Sequence, residues 1–455
     1  MTRQQSKAVD AARGVVHRAL SRQAELYPEL DLAPLDTSGL TARDAAFAHA
    51  VYDAVLRRWI TLGYLIDGFT QRGFGSLDPS VRGVLLAGAA QLLLLDKVPP
   101  HAALNESVEW TKKTVPKAAG LVNAVLRRIA ELVYPRASGP LSERPYVSWT
   151  GARDELPLAD GRAVKLSREV LPQDRWERLE IATSCPAWLL RKWRKEFGDE
   201  TAEELAVHGL VSPPTVLNTR FAHTDVAGTL PHEDPGHRVF VGKREELAAL
   251  LAEHSDFWVQ DAASGRAVAA AAECLDTQRV RLVLDLCAGQ GTKTLQLSWT
   301  FPGARVVATD VDERRARELA KVANRRPNVE AVAPEKTHEY VGKAHLVLLD
   351  VPCTNTGVLP RRVEARYRCG REQLKRMVAV QREILKSAWK LVAVGGVVVY
   401  STCSIDREEN EEQVAWAEQE LGLKAVRVER VMPRGRPGGE PGGYRDGAFS
   451  AVLRR

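Results

Sequence analysis

The residues that could do chemistry fall in four short stretches: DLCAGQGTKT (285–294), VVATD (306–310), LLDVPCTNTG (348–357) and VVVYSTCS (397–404). Each contains or follows an apolar run that reads as a buried strand, and ligands of open parallel sheets bind just past the carboxyl ends of strands. Gly289 and Gly291 let the backbone turn sharply and approach a ligand, and the helix that follows presents free N–H groups at its start. Asp310, at the end of the second run, is suited to accept hydrogen bonds from ribose hydroxyls. Together they indicate a nucleoside-containing cofactor. The plainer alternative is a structural turn plus a helix cap at Asp310. The loop is no P-loop, since Thr292 stands where a Gly must precede Lys293, and the third Gly of a dinucleotide fingerprint is missing. S-adenosylmethionine has no phosphate to cradle and fits the looser loop.

The last two stretches each deliver a cysteine, Cys353 and Cys403, to a strand end. One such cysteine is more often packing than chemistry. Two at neighbouring strand ends facing a cofactor point to nucleophilic catalysis. Cytosine C5 is a poor nucleophile, but thiolate addition at C6 makes it enamine-like and able to attack a sulfonium methyl. An adjacent acid such as Asp350 can hydrogen-bond N3, and a base must later remove the C5 proton. Cys185, Cys274 and Cys369 lack this context and read as structural, while Cys287 lines the Gly loop through its backbone.

These strand ends need elements to position them. With 455 residues, two or three domains are expected. Residues 1–136 read as an all-helical domain, with Thr41 a candidate N-cap and Pro99-Pro100 a helix stop. Residues 137–255 open with a Pro-, Gly- and Ser-rich linker, which spans about 134–174 as a whole, and continue as a small α+β region. Residues 256–455 alternate apolar runs with amphipathic helices, a doubly wound α/β pattern with a largely parallel sheet. The segment PRGRPGGEPGG (433–443) reads as a flexible loop. No apolar run is long enough for a membrane span. The six cysteines show no CxxC pair or zinc spacing, which predicts free thiols, a cytoplasmic setting and no metal. A net charge of +6, carried partly by Arg and Lys doublets in both halves, permits a nucleic-acid partner.

The motifs DLCAGQGTKT, ATDVDERR, LLDVPCTNTGVL and YSTCS resemble, in order, those of RNA 5-methylcytosine methyltransferases of the Sun/NOL/NOP type. VQDAASG (259–265) and DGAFSAVLRR (446–455) resemble that family's segments before the first strand and at the closing strand, and the helices with LVNAVLRR (121–128) resemble a NusB-like RNA-binding domain. The resemblance implies a Rossmann-like catalytic domain, S-adenosylmethionine as cofactor, a small-subunit rRNA substrate and a monomer. It implies Cys403 as nucleophile and Cys353 as the residue assisting release. It also implies that Cys287, Ala288, Gly289, Gln290, Gly291, Thr292, Lys293, Asp310 and Asp350 surround the cofactor and the reacting base, with Lys293 and Asp350 in the catalytic set. The family's Pro-Gly-Gly-Lys is here Gln290-Gly291-Thr292-Lys293. Its adenine-contacting Gly-Asp is replaced by Pro334-Glu335-Lys336, with Glu335 a substitute. Two other readings stay open: a DNA cytosine methyltransferase, whose nucleophile would be the cysteine after the proline, and a non-catalytic RNA-binding or assembly factor with a vestigial fold.

Overall fold

The computed structural model describes residues 3–134 and 144–455. The chain divides into two compact units, Met1–Ser212 with Arg366–Arg368 and Arg436–Gly439, and Pro213–Ala365 with Cys369–Gly435 and Glu440–Arg455. Among the described residues no helix is long and apolar enough to cross a membrane.

The first unit begins with helices Arg3–Leu26, Ala42–Arg57, Trp59–Asp67, Pro79–Leu94, Pro100–Thr114 and Ala119–Val133. Helix Pro79–Leu94 is apolar on nearly every side and lies buried at the centre. Thr41 does cap its helix, accepting from Asp44 N at 3.2 Å, and the chain breaks between helices around Pro99. One run that reads as a single helix in sequence is two. Arg58 leaves helical geometry (φ −125°) as its buried guanidinium bonds Thr61 Oγ1 and the Pro157 carbonyl.

Residues 135–143, which open the expected linker, lie outside the described residues. The rest of that linker is not irregular. Tyr146–Ser148, Arg162–Lys165 and Glu155–Pro157 form a three-stranded antiparallel sheet that buries Leu156, Ala163 and Val164. Its strands have three or four residues each, too short to show an alternating pattern. Helices Arg175–Thr183, Ala187–Phe197 and Asp199–His208 complete the unit.

The second unit opens with a four-stranded antiparallel sheet containing Thr215–Asn218 and Trp258–Val259. It continues into a seven-stranded sheet: β1 (Leu282–Asp285), β2 (Arg305–Ala308), β3 (Val329–Ala331), β4 (Ala344–Asp350), β5 (Val392–Thr402), β6 (Lys424–Val431) and β7 (Ala448–Arg454). The order is β3-β2-β1-β4-β5-β7-β6. The first five strands run parallel, and β7 is antiparallel to both β5 and β6. Strand order reverses at β1 and β4, so the carboxyl ends of these strands flank the crevice where such sheets bind ligands. Alternate residues of the central strands serve two separate cores: Leu346, Leu348, Val397 and Val399 on one face, and Val347, Leu349, Val398 and Tyr400 on the other. Burial on both faces is why these strands read as continuous apolar runs. Strand β6 escapes a search for such runs. It is an edge strand, KAVRVERV, half exposed and studded with charge. The loop 433–443, flexible by composition, is hydrogen-bonded: Arg434 and Arg445 exchange backbone bonds at 2.8 and 2.9 Å, and Gly442 O accepts from Glu233 N at 3.0 Å.

The loop after β1 closes on Gly291, which opens helix Thr292–Thr300 at φ +90°. A Cβ there would sit 2.9 Å from Val322 Cγ2 and 3.1 Å from Leu319 Cδ1 of helix Glu313–Arg325. We expect Gly291→Ala to destabilise the chain by at least the roughly 1–2 kcal/mol of a left-handed non-glycine residue, read as a lower urea midpoint at unchanged slope.

Candidate active site

The cofactor loop is held by one carboxylate. Asp310 Oδ2 accepts from Gly289 N at 2.8 Å, and its Oδ1 accepts from Asp312 N at 2.9 Å. The helix cap is Asp312, which accepts from Arg315 N, so Asp310 is not the cap. Each Asp310 oxygen keeps a second lone pair for a ligand hydroxyl. Ala288 N donates to the Thr309 carbonyl at 3.0 Å, tying the loop to the end of β2. Gln290 and Thr292 are exposed at the rim, whereas Gly291 is buried. Cys287 is pushed up to about 12, by burial first and then by the negative charges of Asp285, Asp350 and Asp310, so its thiol stays neutral.

Asp285, last residue of β1, is fully buried. Its Oδ2 accepts from Thr294 Oγ1 at 2.7 Å, while Oδ1 has no hydrogen-bond partner. Burial raises its pKa to about 7 against the opposing bond from Thr294. An orphaned buried acceptor invites a donor from a ligand. Asp310 and Asp350 beside the glycine loop repel phosphate and suit a ligand that carries a cationic centre and ribose hydroxyls, and Asp285, kept neutral by burial, leaves one oxygen for a further hydrogen bond. The residues present therefore fit S-adenosylmethionine. Glu335 lies exposed in the 3-10 turn Pro334–Tyr340 just beyond β3.

Next to this loop, β4 and β5 end in register, Asp350 opposite Ser401. Lys293 Nζ lies 2.7 Å from Asp350 Oδ2 and 3.2 Å from Ser264 Oγ. Burial lowers the ammonium's affinity for its proton, but the charge and hydrogen bond of Asp350 outweigh this and leave it raised. Past the two strand ends, the Sγ atoms of Cys353 and Cys403 approach to 3.3 Å, both as free thiols. Cys403 Sγ donates to Asn355 Oδ1 at 3.1 Å, and Asn355 Nδ2 donates to the Cys353 carbonyl at 3.0 Å. The hydrogen bond with Cys403, then burial and the charge of Cys403, raise Cys353 well above an ordinary thiol. Gly357 lets the two loops touch: its N donates to the Cys403 carbonyl at 2.9 Å, and a Cβ would come within 2.7 Å of that oxygen.

The structure thus gathers Lys293, Asp350, Cys353 and Cys403 at one edge of the sheet, beside the loop 287–293 and Asp310. Cys185 and Cys369 are buried and Cys274 half-buried, none of them part of this group. Reading by motif missed four contributors. Asp285 was hidden in an apolar run. Ser264 carries no chemical signal by type. Asn355 adopts φ +62°, legible only as a turn residue in Thr-Asn-Thr-Gly. The fourth is an ion cluster in which Arg361 bonds Asp446 at 2.6 Å and Asp261 at 3.3 Å, pinning the loop after Cys353 to the segments around 261 and 446.

Comparison with known proteins identifies the family and the fold. Residues 272–431 match the family model of the 16S rRNA methyltransferase RsmB/F, and residues 4–131 match the NusB family. The chain is 32% identical to ribosomal RNA small subunit methyltransferase B of Thermus thermophilus, over 91% of this chain and 89% of that one. It is 27% identical to the protein of the same name from Shigella flexneri, over 93% of both chains. A crystal structure of the protein PH0851 superposes with a TM-score of 0.67 at 20% identity, covering 97% of this chain and 98% of that one, which shows a common fold.

Asp285 yields a pH test. Between its unfolded value near 3.8 and its folded value of about 7, the unfolded chain has lost the proton that the folded chain keeps, so stability falls as pH rises through this window. The stability of Asp285→Asn relative to the parent should therefore become more favourable by up to about 1.4 kcal/mol per pH unit from about pH 5 to 7 and level off above. Urea titrations across that range measure it, and a pH-independent difference would contradict a neutral Asp285.

Proposed function

Because this chain belongs to the ribosomal RNA small subunit methyltransferase B family, we propose that it methylates C5 of a cytosine in small-subunit rRNA through a covalent bond from Cys403 to C6. The observation that carries this reading is the pair of thiols 3.3 Å apart beside the Lys293–Asp350 pair. When bound, S-adenosylmethionine supplies an electrophilic methyl group. The loop 287–293, Asp285 and Asp310 would hold it.

The two thiols are given different roles. Cys353 is raised well above an ordinary thiol by its hydrogen bond with Cys403 and then by burial, so it stays protonated, and the nucleophile is read as Cys403, the cysteine that the family motif YSTCS supplies. Cys403 then bonds C6 as its proton passes to N3. Asp350, oriented by Lys293, accepts the hydrogen bond of the N3–H so formed and favours the addition. Once Cys403 is a thioether, its hydrogen bond with Cys353, the first cause of the shift on Cys353, is lost. Cys353 becomes easier to ionise at the stage when the C5 proton must leave, and takes that proton directly or through the base that does. Loss of the proton re-forms the C5–C6 double bond and expels Cys403.

The helices of residues 1–136 and the region 137–255 are read as the RNA-contacting parts. The match to the NusB family over residues 4–131 supports this for the first of them.

Asp310→Ala should weaken S-adenosylmethionine binding by about 1.5–3 kcal/mol, the value of a charge-assisted hydrogen bond, and calorimetry reads it; unchanged affinity would leave Asp310 only a loop tie. The thiol order is tested on a denaturing gel with labelled RNA and S-adenosylmethionine. Cys353→Ala should transfer the methyl and stall, leaving a slow protein–RNA band. Cys403→Ala should show neither band nor product. A band confined to Cys403→Ala would exchange the roles, and full activity of both variants would remove the covalent mechanism.

A further inference from the structure

Directly behind the two thiols lies a buried polar hub that the mechanism above does not use. Glu409 is fully buried, and Asp406, Thr354, Thr356, Ser404 and Gln381 are nearly so. Glu409 Oε1 accepts from Thr354 N at 3.0 Å and from Gln381 Nε2 at 2.9 Å. Its Oε2 is 2.5 Å from Thr354 Oγ1. That same hydroxyl lies 3.1 Å from Asp406 Oδ2 and 3.3 Å from Ser404 Oγ. Thr356 Oγ1 lies 3.1 Å from Asp406 Oδ2 and 3.0 Å from Ser404 Oγ. Thr354 follows Cys353 in the chain, and Ser404 follows Cys403. The hub therefore binds the backbone next to one thiol to the backbone next to the other. Gln381 extends the tie, donating also to the Pro352 carbonyl at 2.9 Å, on the other side of Cys353.

We infer that Glu409, acting through Thr354, is a positioning residue that sets the separation of the Cys353 and Cys403 thiols. Three features argue for position and against charge as its role. Glu409 bonds the backbone and hydroxyl of Thr354 and, by way of Gln381, holds the Pro352 carbonyl, so its contacts fall on the chain either side of Cys353. Among the described residues no Lys, Arg or His bonds its carboxyl group, so no cation requires it to be ionised. Burial lifts it to about 7, against the opposing bonds from Ser404 and Thr354, so the neutral form is accessible. A neutral carboxyl group donates to Thr354 Oγ1, which in turn donates to Asp406 Oδ2. A glutamine amide can make the same line: its oxygen accepts from Thr354 N and its NH₂ donates to Thr354 Oγ1. An alanine can make none of it, and leaves Thr354 N buried without an acceptor.

The inference rests on the reading of the two cysteines as the catalytic pair, and its test has one readout independent of methyl transfer. Diamide, an azo oxidant, takes two electrons and two protons from a pair of close thiols, is reduced to a hydrazine and leaves a disulfide. The rate of Cys353–Cys403 disulfide formation thus reports thiol alignment even in a chain with no activity. The full-length parent, Glu409→Gln, Glu409→Ala and Thr354→Val are compared in diamide cross-linking, S-adenosylmethionine affinity, and kcat and KM for RNA. Glu409→Gln should match the parent in all. Glu409→Ala should lose kcat by up to about a hundredfold, the effect of a displacement near 1 Å. Its cross-linking rate should fall with kcat, while KM and cofactor affinity hold. Thr354→Val keeps the fold's volume and the backbone N–H but cuts the hydroxyl link; it should show the same split and carries the test if Glu409→Ala does not fold. Parent-like cross-linking in both Glu409→Ala and Thr354→Val overturns the inference, as does a Glu409→Gln variant as impaired as the alanine. Loss of methyl transfer in the parent with normal cross-linking would instead refute the proposed reaction and leave the positioning role standing.

Discussion

The site depends on one constraint, the register of β4 against β5. Asp350 pairs with Ser401, and from that pairing the chain needs only a few residues on each strand to bring Cys353 and Cys403 to 3.3 Å. Successive side chains point to opposite faces of a sheet, so a slip of one residue would turn one thiol away from the other. Both faces of these strands are apolar, with Leu346 and Leu348 facing one core and Val347 and Leu349 the other. Hydrophobic pattern alone would thus tolerate a slip. What opposes it lies beyond the strand ends: Gly357 N on the Cys403 carbonyl, the Asn355 contacts with both cysteines and the Thr354–Ser404–Asp406–Glu409 hub.

The electrostatics follow from the same geometry. Parallel strands ending together bring Asp285 and Asp350 to one edge, joined there by Asp310 from β2. Lys293 is buried beside them and is committed to Asp350 at 2.7 Å. Burial first, and then the negative field of the neighbouring carboxylates, holds Asp285 and Cys287 in their neutral forms. That field favours a cationic ligand over a phosphate, so the surroundings select S-adenosylmethionine as much as any single contact does. The thiols show the same coupling at shorter range: the hydrogen bond with Cys403, then burial, holds Cys353 well above an ordinary thiol.

Membership of the ribosomal RNA small subunit methyltransferase B family and this arrangement support one another without being the same statement. The family accounts for a methyl donor and an rRNA substrate. The reaction at cytosine C5 is argued from two thiols, an acid and a lysine in one place, and would be argued the same way on any fold that placed them so.

The sequence by itself determined a good deal. The helical first region, the alternating α/β second region, the cofactor loop and both cysteines were legible because each rests on local chemistry: helical spacing, apolar runs, glycines at a strand end, a thiol beside a turn. Thr41 could be read as a cap for the same reason. Other features were not legible, because what defines them is non-local. The strand Lys424–Val431 is recognisable only by its pairing with Ala448–Arg454. The break at Arg58 exists because its guanidinium finds a carbonyl 99 residues away. Asp285 looks like the polar end of an apolar strand until its depth shows that one oxygen has no partner. Glu409 lies in an acidic stretch, REENEE, that reads as a solvated helix start, and only packing buries it fully behind the thiols. A sequence states which groups are present and how the nearest residues will turn. Burial and partnership across the chain decide which are neutral, which are aimed and which touch, and these come into being only when distant segments pack.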